Sequence, residues 1–263
     1  MINSKQIAII KKDLKSIILN KQVFPVLLIV PLVFTIVIPS IFILIIHFDP
    51  DSVGDFQQML ELFPFDKQSE DIRYILITFV INSIMPIFFI IIPIMAASVM
   101  AASSFIGEKE KRTLETLLYS PLSLNQIFQG KILASFLLSM IVSMISFFIM
   151  MIVVQVELML TIGRLLVPDI SWLITMLLLS PAVSFLAITL IVSGSAKAQT
   201  MEESQQRAIF LILPILLLIV GQFSGLILIN AWLLLGLGAI FVVLDLIFMK
   251  KAVGKLNYEI LLR

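Results

Sequence analysis

The sequence predicts an all-α integral membrane protein with six transmembrane helices, an N-terminal amphipathic interfacial helix and both termini cytoplasmic. Three observations lead there. The 263 residues are 60% hydrophobic and 13% charged, with a mean hydropathy of +1.13, whereas soluble domains run at about 45–50% apolar and about 25% charged. Six stretches reach the roughly 20 apolar residues needed to cross a hydrocarbon core of about 30 Å. Fifteen of the eighteen lysines and arginines fall on one side of that topology, and a basic excess of this kind marks the cytoplasmic side.

The elements follow in order. In residues 3–21, Ile7, Ile10, Leu14, Ile17 and Ile18 recur at helical spacing while Lys5, Lys11, Lys12 and Lys15 take another face. Such a helix suits an anionic leaflet, each lysine contributing about 1 kcal/mol near the surface; the alternative is an ordinary basic flank. The first span, about 24–46, runs into His47-Phe-Asp-Pro rather than a small-residue cleavage site, so no cleavable signal peptide is expected. An acidic outer loop, 47–73, is too short for a domain and has room for a short helix around Phe56–Phe63. The second span, about 74–105, is longer than needed and is expected to tilt or to continue into the cytoplasm. Spans at about 132–154 and 172–193 flank a second outer loop, about 155–171, where Trp172 suits an interfacial anchor. Spans at about 208–229 and 231–249 are separated by little more than Asn230 and read as a tight hairpin.

Between the second and third spans lies a polar island, Gly107-Glu-Lys-Glu-Lys-Arg-Thr-Leu-Glu-Thr-Leu-Leu-Tyr-Ser-Pro121. Glu108 and Arg112, and Lys111 and Glu115, are spaced i,i+4, which supports an exposed helix. Leu114, Leu117 and Leu118 add an apolar patch that should dock on something, although a solvated connector is the plainer alternative. Pro121 ends this helix, and Ser123 with Gln126 makes a capping-box signature for the next one.

The island, continuing through Pro121-Leu-Ser123 to Gly130-Lys131, resembles the cytoplasmic signature of ABC-2-type permeases, the membrane subunits of ATP-driven exporters. The resemblance is to the sodium-efflux, drug and peptide exporter branch. Many members have glycine where this chain has Arg112, a position at which a helix tolerates arginine better. A weaker match lies in Ser195–Gln206, with a small-Lys segment and Glu203-Ser-Gln-Gln206 before the fifth span. The resemblance implies a single transmembrane domain over residues 1–263 that pairs with a cytoplasmic ABC ATPase and with a second permease copy or paralogue. It also implies a coupling segment at 106–131, with Glu108, Lys111, Arg112, Leu114, Glu115, Leu117 and Leu118 against the ATPase. The expected setting is multi-pass, in the plasma membrane of a prokaryote, in contact with membrane lipids.

Other classes find little in the chain. A net charge of +1 gives no sign of nucleic-acid binding, and the absence of cysteine excludes disulfides and thiolate chemistry. One histidine, His47, argues against a zinc site. Neither Gly130-Lys131-Ile132 nor Gly254-Lys255-Leu256 is followed by Ser/Thr or preceded by the glycine of a phosphate-binding loop. No cofactor is therefore expected in this chain, with ATP-Mg held by the partner. No catalytic or metal-ligating residue is expected.

Inside the membrane, Ser135, Ser139, Ser143 and Ser146 share one face of the third span, with Ser180 and Ser184 in the fourth. Small residues permit close packing; lining a translocation path is the alternative. Gly221-Gln-Phe-Ser-Gly225 is a common Gly-Xaa-Xaa-Xaa-Gly packing pattern, and the resemblance to ABC-2-type permeases, whose fifth span lies near the dimer axis, implies a permease dimer contact there. Asp245 is either structural or an ion relay. The functional alternatives are an ion-coupled secondary carrier and a non-transporting membrane sensor or immunity protein.

Overall fold

The computed structural model describes residues 4–21, 23–48, 71–110, 122–194, 200–224, 226–227 and 229–254. The described residues form helices and no strand. In chain order the helices are α1 (Ser4–Ile18), α2 (Val23–Phe48), α3 (Ile72–Glu110), α4 (Leu124–Thr161), α5 (Ile170–Gly194), α6 (Met201–Phe223) and α7 (Ala231–Gly254). Helices α2 to α7 are each long and apolar enough to cross a membrane. The short helix expected around Phe56–Phe63 lies outside the described residues.

Short polar side chains start the helices by satisfying free amides of the first turn. The Asp71 carboxylate accepts from the Arg73 amide at 3.0 Å, Thr200 from Glu203 and Asn230 from Leu233. The Ser123–Gln126 capping box forms in both directions. At about 1.5 Å per residue, the 39 residues of α3 run roughly 58 Å, so α3 continues well past the hydrocarbon core.

Two π-helical turns interrupt α3 and α5, at Val80–Ile84 and Thr175–Leu179. Each stands just ahead of a proline, Pro86 or Pro181. Proline lacks an amide hydrogen and crowds the carbonyl four residues back, so a widened turn relieves the clash and redirects the local carbonyls. The Ile81 carbonyl accepts instead from Trp172 Nε1 at 3.1 Å.

The apolar core lies on both sides of α3. One cluster joins α3 to α1, α2 and α4, and the other joins it to α5, α6 and α7. Of the most apolar window of α3, 83% is buried, against 11% for α7. Helix α3 is thus the central post, with α7 at the periphery.

Several expectations are corrected. Trp172 is 1% exposed and packs edge-on against Phe89 at 5.5 Å and near Phe147 at 5.2 Å. It is a core residue because the π turn of α3 supplies its indole with an acceptor. The exposed tryptophan is Trp232, 80% exposed in the first turn of α7.

The second outer loop is shorter than 155–171. Helix α4 continues to Thr161 because Gln155 bonds both backbone groups of Leu166 and Glu157 accepts from Ser40 at 2.5 Å. Gly163, at φ +74°, then turns the chain, a conformation glycine adopts without Cβ strain.

The helix that carries the fifth span, α6, runs from Met201 to Phe223, so the residues after Phe223 up to 229 that hydropathy assigns to that span lie beyond its helix. After it the chain folds back over its own helix end, with the Ser224 amide bonding Val220 O and the Ile227 amide bonding Gly221 O.

Helix α1 is also turned relative to the expected stripe. Ile10 and Ile17 are buried, but Ile7 and Ile18 are 44% and 52% exposed, and the buried face includes Gln6, Ile9 and Asp13. Helix α1 packs chiefly on α4, so polar partners on α3 and α4 set its rotation.

Candidate functional site

The described part of the polar island is the last turn of α3, Gly107 to Glu110. Gly107 lets another element approach: a Cβ there would lie 3.2 Å from Met201 Sδ. The Glu110 carboxylate accepts from the Met201 amide at 3.0 Å, which ties the start of α6 to the end of α3. A carboxylate at a helix N-terminus is favoured by free amides and the helix dipole.

Glu108 turns the other way, into a cluster of four balanced charges. Its Oε1 pairs with Lys12 of α1. Its Oε2 lies 2.8 Å from the ammonium of Lys131 in α4. That ammonium also donates to the Ser104 carbonyl and, at 3.3 Å, to Ser104 Oγ. It stands 3.7 Å from Asp13 Oδ2 and 5.5 Å over the Phe105 ring. Ser104 Oγ donates to Asp13 at 2.5 Å. Lys131, Asp13 and Glu108 are 1%, 5% and 9% exposed. Isolated charges at that burial would be strongly unfavourable, whereas paired and hydrogen-bonded ones persist. A cavity of about 240 Å³ adjoins the cluster between α1 and α3, its lining including Lys12, Asp13, Ser16, Ser103 and Glu108.

The sequence places Glu108 on an exposed helix, whereas it is buried, with described partners on α1 and α4 that spacing within one helix does not report; its pairing with Arg112 falls outside the described residues. Lys111, Arg112, Leu114, Glu115, Leu117 and Leu118 lie outside the described residues. The missed residues are Asp13, Lys12, Ser104 and Lys131. One signal could have found Asp13: it shares helical spacing with Gln6, Ile9, Ile10 and Ile17 and is the one acid in an otherwise basic helix.

Ser135, Ser139, Ser143 and Ser146 are all buried. Three of their hydroxyls donate to their own helix, to the carbonyls of Lys131, Phe136 and Ser139. Phe136 stacks on Phe185 at 4.2 Å, holding α4 against α5. Ser184 donates to the Ser180 carbonyl.

Gly221 is covered by its own chain, since a Cβ there would meet Ile227 Cδ1 at 2.7 Å; Gly225 lies outside the described residues. Asp245 is half-buried, and its Oδ1 has no hydrogen-bond partner among the described residues. His47 packs edge-on against Phe48 at 5.0 Å.

Among known families, the model for the ABC-2 family transporter protein domain matches residues 7–232. No curated protein and no solved structure matches the chain.

Proposed function

The chain belongs to the ABC-2 transporter family and is a multi-pass membrane permease; from this we propose that it is the permease subunit of an ATP-driven exporter. A separate cytoplasmic ATPase would bind ATP-Mg and hydrolyse it, since this chain carries no phosphate-binding loop. Two permease subunits, identical or paralogous, would enclose the path, and two ATPase subunits would bind from the cytoplasm. The plasma membrane of a prokaryote is the proposed location.

One observation carries this reading. The root of the polar island is tied to three other helices, with Glu108 reaching α1 and α4 and Glu110 reaching α6. A displacement applied to residues 108–120 would therefore reach several helices together instead of being absorbed by a loose connector. In the sequence, Leu114, Leu117 and Leu118 offer the apolar residues, and Lys111, Arg112 and Glu115 the polar ones, that an interface centre and its rim would use.

The test is co-purification of the ATPase followed by substrate-stimulated ATP hydrolysis and vesicle transport. Replacing Leu117 and Leu118 together by Asp should leave membrane insertion intact and remove transport, with ATP hydrolysis no longer responding to substrate. Full transport in that double variant would sink the coupling assignment. Asp245, whose Oδ1 has no hydrogen-bond partner among the described residues, is what favours the alternative of an ion-coupled carrier. Transport that is lost in Asp245→Asn and indifferent to ATP would replace the exporter reading.

A further inference from the structure

Gly130 and Lys131 lie side by side at the base of α4, and both are turned toward α1. At Gly130 the two helices come so close that an added Cβ would sit 3.5 Å from Ile9 Cβ and 3.7 Å from the Gln6 carbonyl. The Gln6 side chain crosses the same contact, donating to Gln126 O at 3.4 Å and to Gln129 Oε1 at 3.3 Å. The next residue, Lys131, places one ammonium between the carboxylates of Asp13 on α1 and Glu108 on α3.

We infer that Gly130 and Lys131 form a docking station that fixes α1 to the inner ends of α3 and α4, so that these three helix ends move as one body. This rests on the coupling reading and names Lys131 as a positioning residue for it. Three features carry the inference. A helix that only floats on lipid needs an apolar underside, yet the buried face of α1 presents Gln6 and Asp13, each with a partner on α3 or α4. A single cation, 1% exposed, serves carboxylates from two other helices, and Ser104 of α3 also donates to Asp13, so one buried network of charges and hydrogen bonds joins all three helices. The cluster also grips both roots of the island, Glu108 in the last turn of α3 and Lys131 in the early turns of α4. Motion of either root is therefore handed to α1.

The chain has no cysteine, which makes a cross-link a clean probe. Ile9→Cys with Gly130→Cys would put two Cβ atoms about 3.5 Å apart, within the span a disulfide bridges. In the full chain bound to its ATPase, this pair should cross-link readily and keep substrate-stimulated ATP hydrolysis when oxidised. Adding Asp13→Asn with Lys131→Met removes one charge of each sign, so no buried charge is stranded and the chain should still insert. Cross-linking should then slow by about tenfold or more, and stimulation should be lost in the reduced protein and return on oxidation. Cross-linking at the parent rate overturns the docking station, as does a fully oxidised protein that remains unstimulated. Should the parent chain without cysteines show no substrate stimulation of the ATPase, the coupling reading fails, and the cross-linking rates by themselves still decide how α1 is held.

Discussion

Trp172 and Lys131 carry the same lesson at the scale of a residue. Each stands near one end of an apolar run, where an amphipathic or charged side chain is ordinarily read as facing headgroups or water. Each is instead among the most buried side chains of the protein, because another helix supplies the polar partner. For Trp172 the partner is the Ile81 carbonyl. Trp172→Phe keeps most of the ring packing but leaves that carbonyl without its donor, and should cost about 1–3 kcal/mol. Trp172→Ala also empties the space beside Phe89 and Phe147 and should cost about 3–5 kcal/mol. Thermal unfolding in detergent measures both, and equal midpoints for the two variants would contradict the separation of roles. Neither burial was legible in the sequence, since a tryptophan or lysine at a span boundary looks the same whether its neighbour is lipid or another helix.

At the scale of elements, local signals read true and rotational ones did not. The Ser123–Gln126 box was visible because donor and acceptor lie three residues apart. The face of α1 was misjudged because apolar periodicity ranks isoleucines alike and cannot know that Gln6 and Asp13 have partners on other helices. The outer end of α3 is similar: Pro86 announces an irregular turn without saying what the turn serves. It serves the loop between α4 and α5. Asn82, within the π turn, donates to Val167 O at 3.2 Å and accepts from the Asp169 amide at 3.2 Å, while Tyr74 donates to Leu165 O. At about 1 kcal/mol for the bond from the Asp169 amide, Asn82→Ala should raise hydrogen exchange at that amide roughly fivefold. Exchange across residues 163–170, followed by mass spectrometry, reads this directly; an unchanged rate would mean that the loop is held by Gln155 and Tyr74 alone.

At the scale of the whole molecule, class and span number were the most legible features, because hydropathy is summed over many residues and tolerates local error. How the helices assemble was less so. All six spans have similar hydropathy, yet α3 is almost wholly enclosed and α7 is largely open, a difference set by packing order. Orientation decides whether the island can meet an ATPase, and the cysteine-free chain allows a direct measurement. Arg164, exposed in the loop after α4, should face outward, and Asn125, exposed in the first turn of α4, should face the cytoplasm. Arg164→Cys should react with a membrane-impermeant maleimide in intact cells. Asn125→Cys should react only after the membrane is opened. The basic asymmetry makes this the favoured insertion, and Trp232 in the first turn of α7 would then fit the headgroup layer on the same side as Arg164. The opposite labelling pattern would place the island outside the cell, out of reach of cytoplasmic ATP, and both the coupling role and the docking of α1 to it would lose their function.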